Sequence, residues 1–499
     1  GATPFSAPET PESISRTYKT PDTPLPEVHL LSNGRYHVMI TNRGSGVSRW
    51  HGLDLTRWRE DAIQDSYGLF FFLQEVRTGR IWSPTAQPLS PGFDRYEAVF
   101  AQGSAEFQSI IHQFRNHLQV AVSPEDDMEL RQLTLTNRSR RARTIEITSY
   151  AEPVMLAGRA EISHPAFHKL FVTATPVPDK SALLFTRRSA ATEERHPWMF
   201  HSLAIDGGLI IRGPSCETRR ETFIGRNRSV RNPAALDQSG PLSDYAGLAL
   251  DPVAAIRYRV RIGSGESIRV NAFFGIAATR EEAEAHVDRC GDAHMAKRVF
   301  SLARTRSQVL QHQLNISEAD AQRYCHWAGS LFFMNPYRRS RSSIIAANRK
   351  TQAALWSYGI SGDRPIVLLS ITDITNMDIA RKLMQAHSYW RNKGLEIDLV
   401  IWSEAYAGYR QDLFDALIGL VQAGTEGRLL GQPGGIFVHN IGQVPEDDQI
   451  LFQSVARLVF RDQHGTLEQQ IDRHLRREIN IPGLVRERLP ERSKYLPAL

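Results

Sequence analysis

The chain has 499 residues, of which 41% are apolar and 23% are charged, and its formal net charge is +6. These are ordinary globular values, and the length predicts two to four domains. No run of 18 apolar residues is present, so we predict no transmembrane helix. The basic residues form only short arginine clusters without a nucleic-acid module. We therefore interpret them as solvated surface and expect no nucleic-acid partner and no direct membrane insertion.

Three cysteines, Cys216, Cys290 and Cys325, are widely spaced and odd in number. This pattern indicates neither a disulfide framework nor a zinc knuckle. The histidines show no paired ligand spacing such as H-E-x-x-H, so we predict no metal site and no cofactor. A reducing, cytoplasmic setting fits the cysteine usage best.

Residues 1–27 are rich in Pro, Thr and Ser, and we expect them to be extended or disordered. Residues 28–280 contain many short β-branched or aromatic runs, such as YHVMI, GLFFFL and TIEITSYA, separated by turn signals. Strands without intervening helices predict a large sandwich of stacked antiparallel sheets.

Residues 281–348 change to helical spacing and good helix formers, which predicts a helical linker. The segment Asn315–Glu318 breaks this pattern, and Ser317 is a plausible helix N-cap. Residues 349–465 alternate apolar strands with amphipathic helices, including a helix over 446–461. This βαβαβα order predicts a small three-layer α/β domain with a parallel sheet. Residues 466–499 form a basic linker tail. The fold class is therefore multidomain α+β.

The stretch ALWSYGISGDRPIVLLSI raises three alternatives for Ser361, which lies between two glycines. A nucleophile elbow needs G-x-S-x-G with the strand before the serine, and here the last glycine is missing and the strand follows. A phosphate-binding loop needs a terminal G-K-[ST], which is also missing. We therefore interpret the stretch as a tight turn leading into a buried strand.

Several carboxylates are candidates for acid/base chemistry. Asp373 and Glu404 follow strands of the α/β region, where ligands of such sheets bind. Both can equally be helix caps or surface charges, and we favour that interpretation. The two EDD triplets, 125–127 and 446–448, could suggest paired carboxylates. We interpret the first triplet as a hairpin turn and the second as the acidic first turn of a helix.

The segment SRWHGLDLTRWREDAIQD at 48–65 combines aromatic and charged side chains. Sugars bind aromatic faces and form hydrogen bonds with arginine and carboxylate groups. The candidate sugar contacts here are Trp50, Trp58, Arg59 and Asp61, and Trp82 could join them. The alternative is a packed sandwich edge with buried tryptophans and ion pairs, and the sequence leaves both interpretations open.

Several segments together resemble the middle, non-catalytic part of bacterial cyclic β-1,2-glucan synthases of the NdvB type. They lie between about residues 28 and 460 and include LLSNGRYHVMITNRGSGVSRWHGLDLTRWREDA, WSPTAQP, HPAFHKLFV, GRNRSVRNP and NRKTQAALWSYGISGDRPIVLLSI. The resemblance implies the N-terminal supersandwich of the cellobiose and chitobiose phosphorylases, followed by a carbohydrate-binding α/β module. That module contains the W-x-x-G-I-S-G-D element, which adds Trp356 and Asp363 to the candidate sugar contacts.

The resemblance also implies a function. Full-length family members carry glycosyltransferase, cyclising and phosphorylase-like barrel domains whose motifs this sequence does not show, so no catalytic residue is carried over. The leading hypothesis is a β-1,2-glucan-binding or positioning region in the cytoplasm, whose parent protein is anchored in the bacterial inner membrane. Expected partners are glucan or oligosaccharide, the adjoining catalytic domains and a second copy in a homodimer. The alternatives are a phosphorylase-like enzyme domain and a structural spacer.

Overall fold

The structure is a computed structural model, and it describes residues 14–177, 179–188, 196–404, 410–424 and 426–471. The chain divides into two compact units. The first comprises residues 1–335 and 383–397, and the second comprises residues 336–382 and 398–499. The first 13 residues of the predicted lead-in and residues 472–499 of the predicted tail lie outside the described part.

The first unit consists mainly of β-strands. In chain order they are β1 (Arg16–Tyr18), β2 (Val28–Ser32), β3 (Tyr36–Thr41), β4 (Gly46–Trp50), β5 (Leu53–Thr56), β6 (Phe70–Glu75), β7 (Ile81–Trp82), β8 (Arg95–Ala101), β9 (Ser104–Ile111), β10 (Phe114–Val122), β11 (Met128–Asn137), β12 (Arg143–Ala151), β13 (Pro153–Leu156), β14 (Val172–Pro176), β15 (Ala182–Arg187), β16 (Trp198–Asp206), β17 (Leu209–Arg219), β18 (Pro252–Ile262) and β19 (Ser267–Ala277).

These strands form three antiparallel sheets. The largest has nine strands in the order β1-β8-β9-β10-β11-β19-β16-β15-β14. Two five-stranded sheets have the orders β17-β18-β12-β6-β7 and β13-β5-β4-β3-β2. The predicted large antiparallel supersandwich is therefore confirmed. Strand β1 lies within the predicted lead-in and pairs with β8 through Arg16 and Phe100.

The main core of the first unit lies between the sheets. Strand β9 shows why the sequence folds this way, since its residues alternate between half-buried and buried over the whole strand. The buried set, which includes Phe107, Leu118, Leu133 and Ile147, faces inward from successive strands. Period-two burial is the property of strands that present one face to a core.

The helices of the first unit are α1 (Gly158–Ser163), α2 (Pro165–Lys169), α3 (Arg220–Ile224), α4 (Arg280–Arg289), α5 (Ala293–Leu314) and α6 (Glu318–Phe332). Helices α4 and α5 bury Val287 and Val299 in a second apolar cluster with Leu130 and Phe273 of the largest sheet. The predicted N-cap is confirmed, because Ser317 and Asp320 form a capping box at the start of α6.

The second unit is built on one parallel sheet. Its elements are α7 (Ser342–Ala347), β20 (Ile366–Ile371), the start of α8 (Met377–Asn392), β21 (Asp398–Ser403), α9 (Arg410–Ala423), β22 (Ile436–Asn440), α10 (Glu446–Val455) and β23 (Leu458–Arg461). From residue 383 onward α8 belongs to the first unit. The strand order is β22-β21-β20-β23, and every registered pair is parallel. The residues of β20 and β21 are buried throughout, as expected for strands covered on both faces. The α/β class is thus confirmed.

One predicted element of this unit is wrong. The helix predicted over 446–461 ends at Val455, and residues Leu458–Arg461 form a fourth strand instead. Ala456 adopts an extended conformation, and the chain then pairs with β20, with Leu458 beside Val367. Leu458 and Phe460 are buried there.

The two units divide the helices that follow the sandwich. Helices α4, α5 and α6 belong to the first unit, and the division falls between residues 335 and 336. The stretch 383–397 also belongs to the first unit, where the indole N–H of Trp390 donates a hydrogen bond to the Tyr324 carbonyl at 2.8 Å. No helix among the described residues is both long and apolar enough to span a membrane.

Candidate carbohydrate-binding site

The most distinctive polar-aromatic group of the second unit is the Trp356 loop, residues 352–363. A short 3₁₀ helix, Gln352–Tyr358, opens the loop and ends at Gly359, whose φ is 76°. Gly362 also has a positive φ, 74°, so both glycines adopt the left-handed conformation that glycine tolerates best. Leu355 and Ile360 are buried in the core of the unit and anchor the loop from below.

Trp356 is 64% exposed, whereas tryptophan is on average a highly buried residue. Its indole N–H donates a hydrogen bond to the carbonyl oxygen of Ser361 at 3.3 Å. The amide of Gln352 donates to the same oxygen at 2.7 Å and to Oδ1 of Asp363 at 3.1 Å. The Ser361 contact holds the edge of the indole ring, while most of the side chain stays in solvent.

The loop is tied to the helix that follows β22. The hydroxyl of Tyr358 donates to Oδ2 of Asp448 at 2.8 Å, and Nζ of Lys350 donates to Oδ1 at 2.5 Å. Burial and the neighbouring Asp448 carboxylate raise the pKa of Tyr358 to about 12, so it donates a hydrogen bond at neutral pH. The second EDD triplet forms the first turn of α10, as predicted.

This arrangement offers the groups that neutral sugars need. Trp356 provides an aromatic surface, and the exposed Asp363 and the Gln352 amide provide hydrogen-bonding groups on the same loop. The hydroxyl of Ser361 accepts a hydrogen bond from the Asp363 N–H at 3.2 Å, which is a turn contact and not the geometry of an activated nucleophile. Sequence reasoning missed Gln352, although its position one helical turn before Trp356 was the available signal.

The segment 48–65 of the first unit makes mostly internal contacts. The indole N–H of Trp50 donates to Oδ2 of Asp127 at 2.8 Å. The ring of Trp58 packs edge-on against Phe332 and Phe333, with centroid distances of 6.0 and 5.9 Å. Both tryptophans are half-buried, so each keeps only part of its ring for a ligand.

The other predicted sugar contacts of the first unit also interact with residues of that unit. Arg59 forms an ion pair with Glu161, and Oδ1 of Asp61 accepts hydrogen bonds from the N–H groups of Ile63 and Gln64. Trp82 is fully buried and stacks on Phe114 at 5.2 Å. Because its ring is enclosed in the core, Trp82 has no face for a sugar and is not part of the site proposed below.

A buried ion network surrounds Arg57 at the end of β5. Its guanidinium lies 2.5 Å from the Glu152 carboxylate, 2.6 Å from Asp251 and 3.6 Å from Glu161. Arg220 adds a second cation, 3.0 Å from Glu152. Although burial alone would lower it, the Glu152 and Asp251 carboxylates raise the pKa of Arg57.

The carboxylates of this network are paired with guanidinium groups inside the unit, as buried charges require. The network therefore serves the packing of the first unit. In the second unit, Asp373 caps a short 3₁₀ helix by accepting from the Thr375 N–H at 2.8 Å. The first EDD triplet lies in the turn between β10 and β11, as predicted.

Comparison with known proteins places the chain in a family. The chain is 32% identical, over 90% of its length, to the cyclic beta-(1,2)-glucan synthase NdvB of Rhizobium meliloti (strain 1021). It is 24% identical over 43% of its length to the solabiose phosphorylase of Paenibacillus borealis, and 22% identical over 51% to the N,N'-diacetylchitobiose phosphorylase of Vibrio furnissii. The chain spans only 16%, 26% and 31% of the lengths of these relatives.

The family model described as glycosyl hydrolase 94, supersandwich domain, matches residues 11–293. This match covers more than half of the chain and includes all three antiparallel sheets described above. The resemblance to NdvB-type and phosphorylase sequences is thereby confirmed. The chain belongs to the glycosyl hydrolase 94 supersandwich family.

Proposed function

We propose that this chain is a non-catalytic region of a cyclic β-1,2-glucan synthase that binds and positions β-1,2-glucan through the Trp356 loop. The observation that carries the proposal is the 64% exposure of Trp356 on a loop that hydrogen bonds hold in place. The similarity to NdvB over 90% of the chain supplies the glucan as the ligand. In the parent protein, anchored in the inner membrane, this region would lie on the cytoplasmic side.

The physical basis is contact between the indole ring and the C–H face of a glucose unit. Fixing the ring beforehand lowers the entropy lost on binding, because the side chain is already ordered by Ser361. Exposed aromatic anchors dominate many binding sites, and truncating one costs on the order of 2 kcal/mol. That cost corresponds to roughly 30-fold in affinity.

The test is calorimetric titration of the purified chain with β-1,2-glucan oligosaccharides at millimolar concentration. We expect measurable binding that Trp356→Ala weakens by at least tenfold and Asp363→Asn weakens by several-fold. Phe167→Ala is the matched control, because Phe167 is an aromatic side chain with similar exposure, 61%, on helix α2 of the other unit. Absence of heat with the folded protein contradicts the proposal and leaves the spacer role.

The sugar contacts predicted in the first unit are tested in the same titration. Trp50→Ala, Trp58→Ala and Arg59→Gln should leave glucan affinity within about twofold, because these side chains are engaged with Asp127, Phe332 and Glu161. Thermal melting of each variant shows whether the fold is intact. A large loss of glucan affinity in a folded Trp58 variant would indicate that the binding site lies in the first unit.

A phosphorylase-like enzyme is the second candidate, because two of the relatives are named phosphorylases. It is tested by incubating the chain with glucose 1-phosphate and glucose-based acceptors and measuring phosphate release. We expect none, since no catalytic residue is carried over from the family and the carboxylates of Glu152 and Asp251 are ion-paired with Arg57. Sustained release above the background of a heat-denatured sample would replace the binding role with a catalytic one.

A further inference from the structure

The first unit contains a cavity of about 570 Å³ on the face of its nine-stranded sheet that points away from the main core. Side chains of strands β10, β11, β19 and β16 form its floor, and Ala296, Lys297 and Phe300 of helix α5 line one side. All of these elements belong to the first unit. The volume falls within the range of small-molecule sites.

This face of the sheet changes from apolar to polar along its strands. On β11, Leu130 is buried in the second apolar cluster, and Gln132 lies two residues further on, on the same face. On β19, Phe273 is buried in that cluster, and Asn271 lies on the same face. The register pairs Leu130 with Phe273 and Gln132 with Asn271, so a polar row lies directly beside an apolar one. Helices α4 and α5 cover the apolar row, and the polar row lines the cavity.

The polar row consists of amide side chains. Gln119, Gln132 and Asn271 occupy directly opposed positions on β10, β11 and β19, and all three are half-buried. The amide nitrogen of Gln132 donates to Oδ1 of Asn271 at 2.8 Å, and Gln119 forms a hydrogen bond with Glu106. Among the described residues, the amide oxygen of Gln132 and the amide nitrogen of Asn271 have no further hydrogen-bond partner. The row can therefore both accept a hydrogen bond from a ligand and donate one to it.

The charged groups of the lining balance one another. Two are basic, Arg269 and Lys297, and two are acidic, Asp206 and Asp292, and the groups of Arg269 and Asp206 lie 4.0 Å apart. Burial raises the pKa of Cys290, which also lines the cavity, to about 12, so its thiol is uncharged at neutral pH. The lining as a whole therefore favours neither an anion nor a cation.

A neutral ligand with many hydroxyl groups matches this lining. A hydroxyl both donates and accepts hydrogen bonds, as the amide row does, and the half-buried ring of Phe300 offers an apolar surface to C–H groups. We propose that this cavity is a second carbohydrate-binding site, which takes a short stretch of a neutral oligosaccharide. The site is separate from the Trp356 loop, and only the choice of β-1,2-glucan as its sugar rests on the proposed function.

The experiment is a saturation-transfer NMR titration of the full chain carrying Trp356→Ala, with a linear β-1,2-glucan oligosaccharide as the probe. We expect this chain to retain binding with millimolar affinity, because the cavity is unaltered. Adding Gln132→Ala or Asn271→Ala should weaken the retained binding by at least fivefold, since each removes an amide of the floor. Adding Ala204→Trp should weaken it by at least tenfold, because Ala204 lies opposite Asn271 and lines the cavity, which the larger side chain would fill.

The matched control is Gln108→Ala in the same chain. Gln108 is a half-buried glutamine of strand β9 in the same sheet, and it is not among the described residues that line the cavity. This substitution should leave the retained affinity within about twofold of its value without it. Thermal melting identifies any variant that fails to fold, and the remaining cavity variants then decide.

The outcomes separate this proposal from that of the Trp356 loop. If Trp356→Ala alone leaves glucan affinity unchanged while the cavity variants lower it, the Trp356 proposal fails and the cavity proposal stands. Binding of a β-1,4-linked glucose oligosaccharide alone, lost in the cavity variants, supports the cavity and contradicts β-1,2-glucan as its sugar. Absence of binding of both oligosaccharides to the folded Trp356→Ala chain, or retained affinity that no cavity variant changes, overturns the cavity proposal.

Discussion

Asp65 gives a quantitative prediction about the stability of the first unit. Its side chain is buried, with 5% exposure, and Oδ2 accepts a hydrogen bond from the Thr41 hydroxyl at 2.7 Å. Burial raises the pKa of Asp65 from 3.8 to about 7, and hydrogen bonds from Ser45 and Thr41 offset only part of that rise. The carboxyl is therefore protonated in the folded state at a pH where it is ionised in the unfolded chain.

The sign of the pH dependence follows from proton binding. Between the two pKa values the folded state binds more protons than the unfolded state, so stability falls as pH rises towards the folded pKa. With a folded pKa of about 7, the contribution of Asp65 decreases by about 2–3 kcal/mol between about pH 5 and pH 8. Asp65→Asn removes this dependence, because the amide does not titrate.

The assay is urea unfolding of the unaltered chain and of Asp65→Asn at about pH 5 and pH 8, followed by tryptophan fluorescence. We expect the free energy of unfolding of the variant to rise by about 2–3 kcal/mol relative to that of the unaltered chain as pH rises across this range. Comparing the two proteins at each pH cancels the titration of other groups. A difference that stays constant within about 0.5 kcal/mol, against a predicted change several times larger, shows that Asp65 titrates normally and refutes the argument.

Three further predictions concern stability. Arg57→Met should lower the free energy of unfolding by about 3 kcal/mol, because it leaves buried carboxylates such as Glu152 without their nearest cation; an unchanged melting temperature contradicts this. Gly394→Ala should lower the free energy of unfolding by about 1–3 kcal/mol, because φ is 80° and a Cβ would lie 2.3 Å from the His37 ring. Urea unfolding measures this change, and an unchanged free energy of unfolding contradicts the prediction. Burial lowers the pKa of His201 to about 4, so its contribution to stability is lost as pH falls from about 6.5 to 4. The free energy of unfolding of the His201→Gln variant should therefore fall less steeply over this pH range. An equal slope in both proteins contradicts the lowered pKa of His201.

The fold could be predicted largely because its periodicities are strong. Period-two runs indicated the sandwich, and apolar runs separated by amphipathic helices indicated the parallel sheet. The fourth strand was missed because Leu451, Val455 and Leu458 also fit one helical stripe, and short apolar runs are ambiguous between helix and strand. The pairing of Leu458 with Val367 makes this segment a strand, and these two residues are distant in sequence.

The candidate site was predictable only in part. Trp356 and Trp82 look alike in sequence, yet one is 64% exposed and the other fully buried. Strand pairing determines the burial of Trp82, because Trp82 lies opposite Leu73 and both side chains belong to the core. The Arg57 network brings together residues separated by up to 194 positions, so a local sequence pattern does not predict it.

The Arg57 network pairs its cations with carboxylates. Around Arg57, three carboxylates lie within 3.6 Å, so the network balances its own charge and contributes to packing.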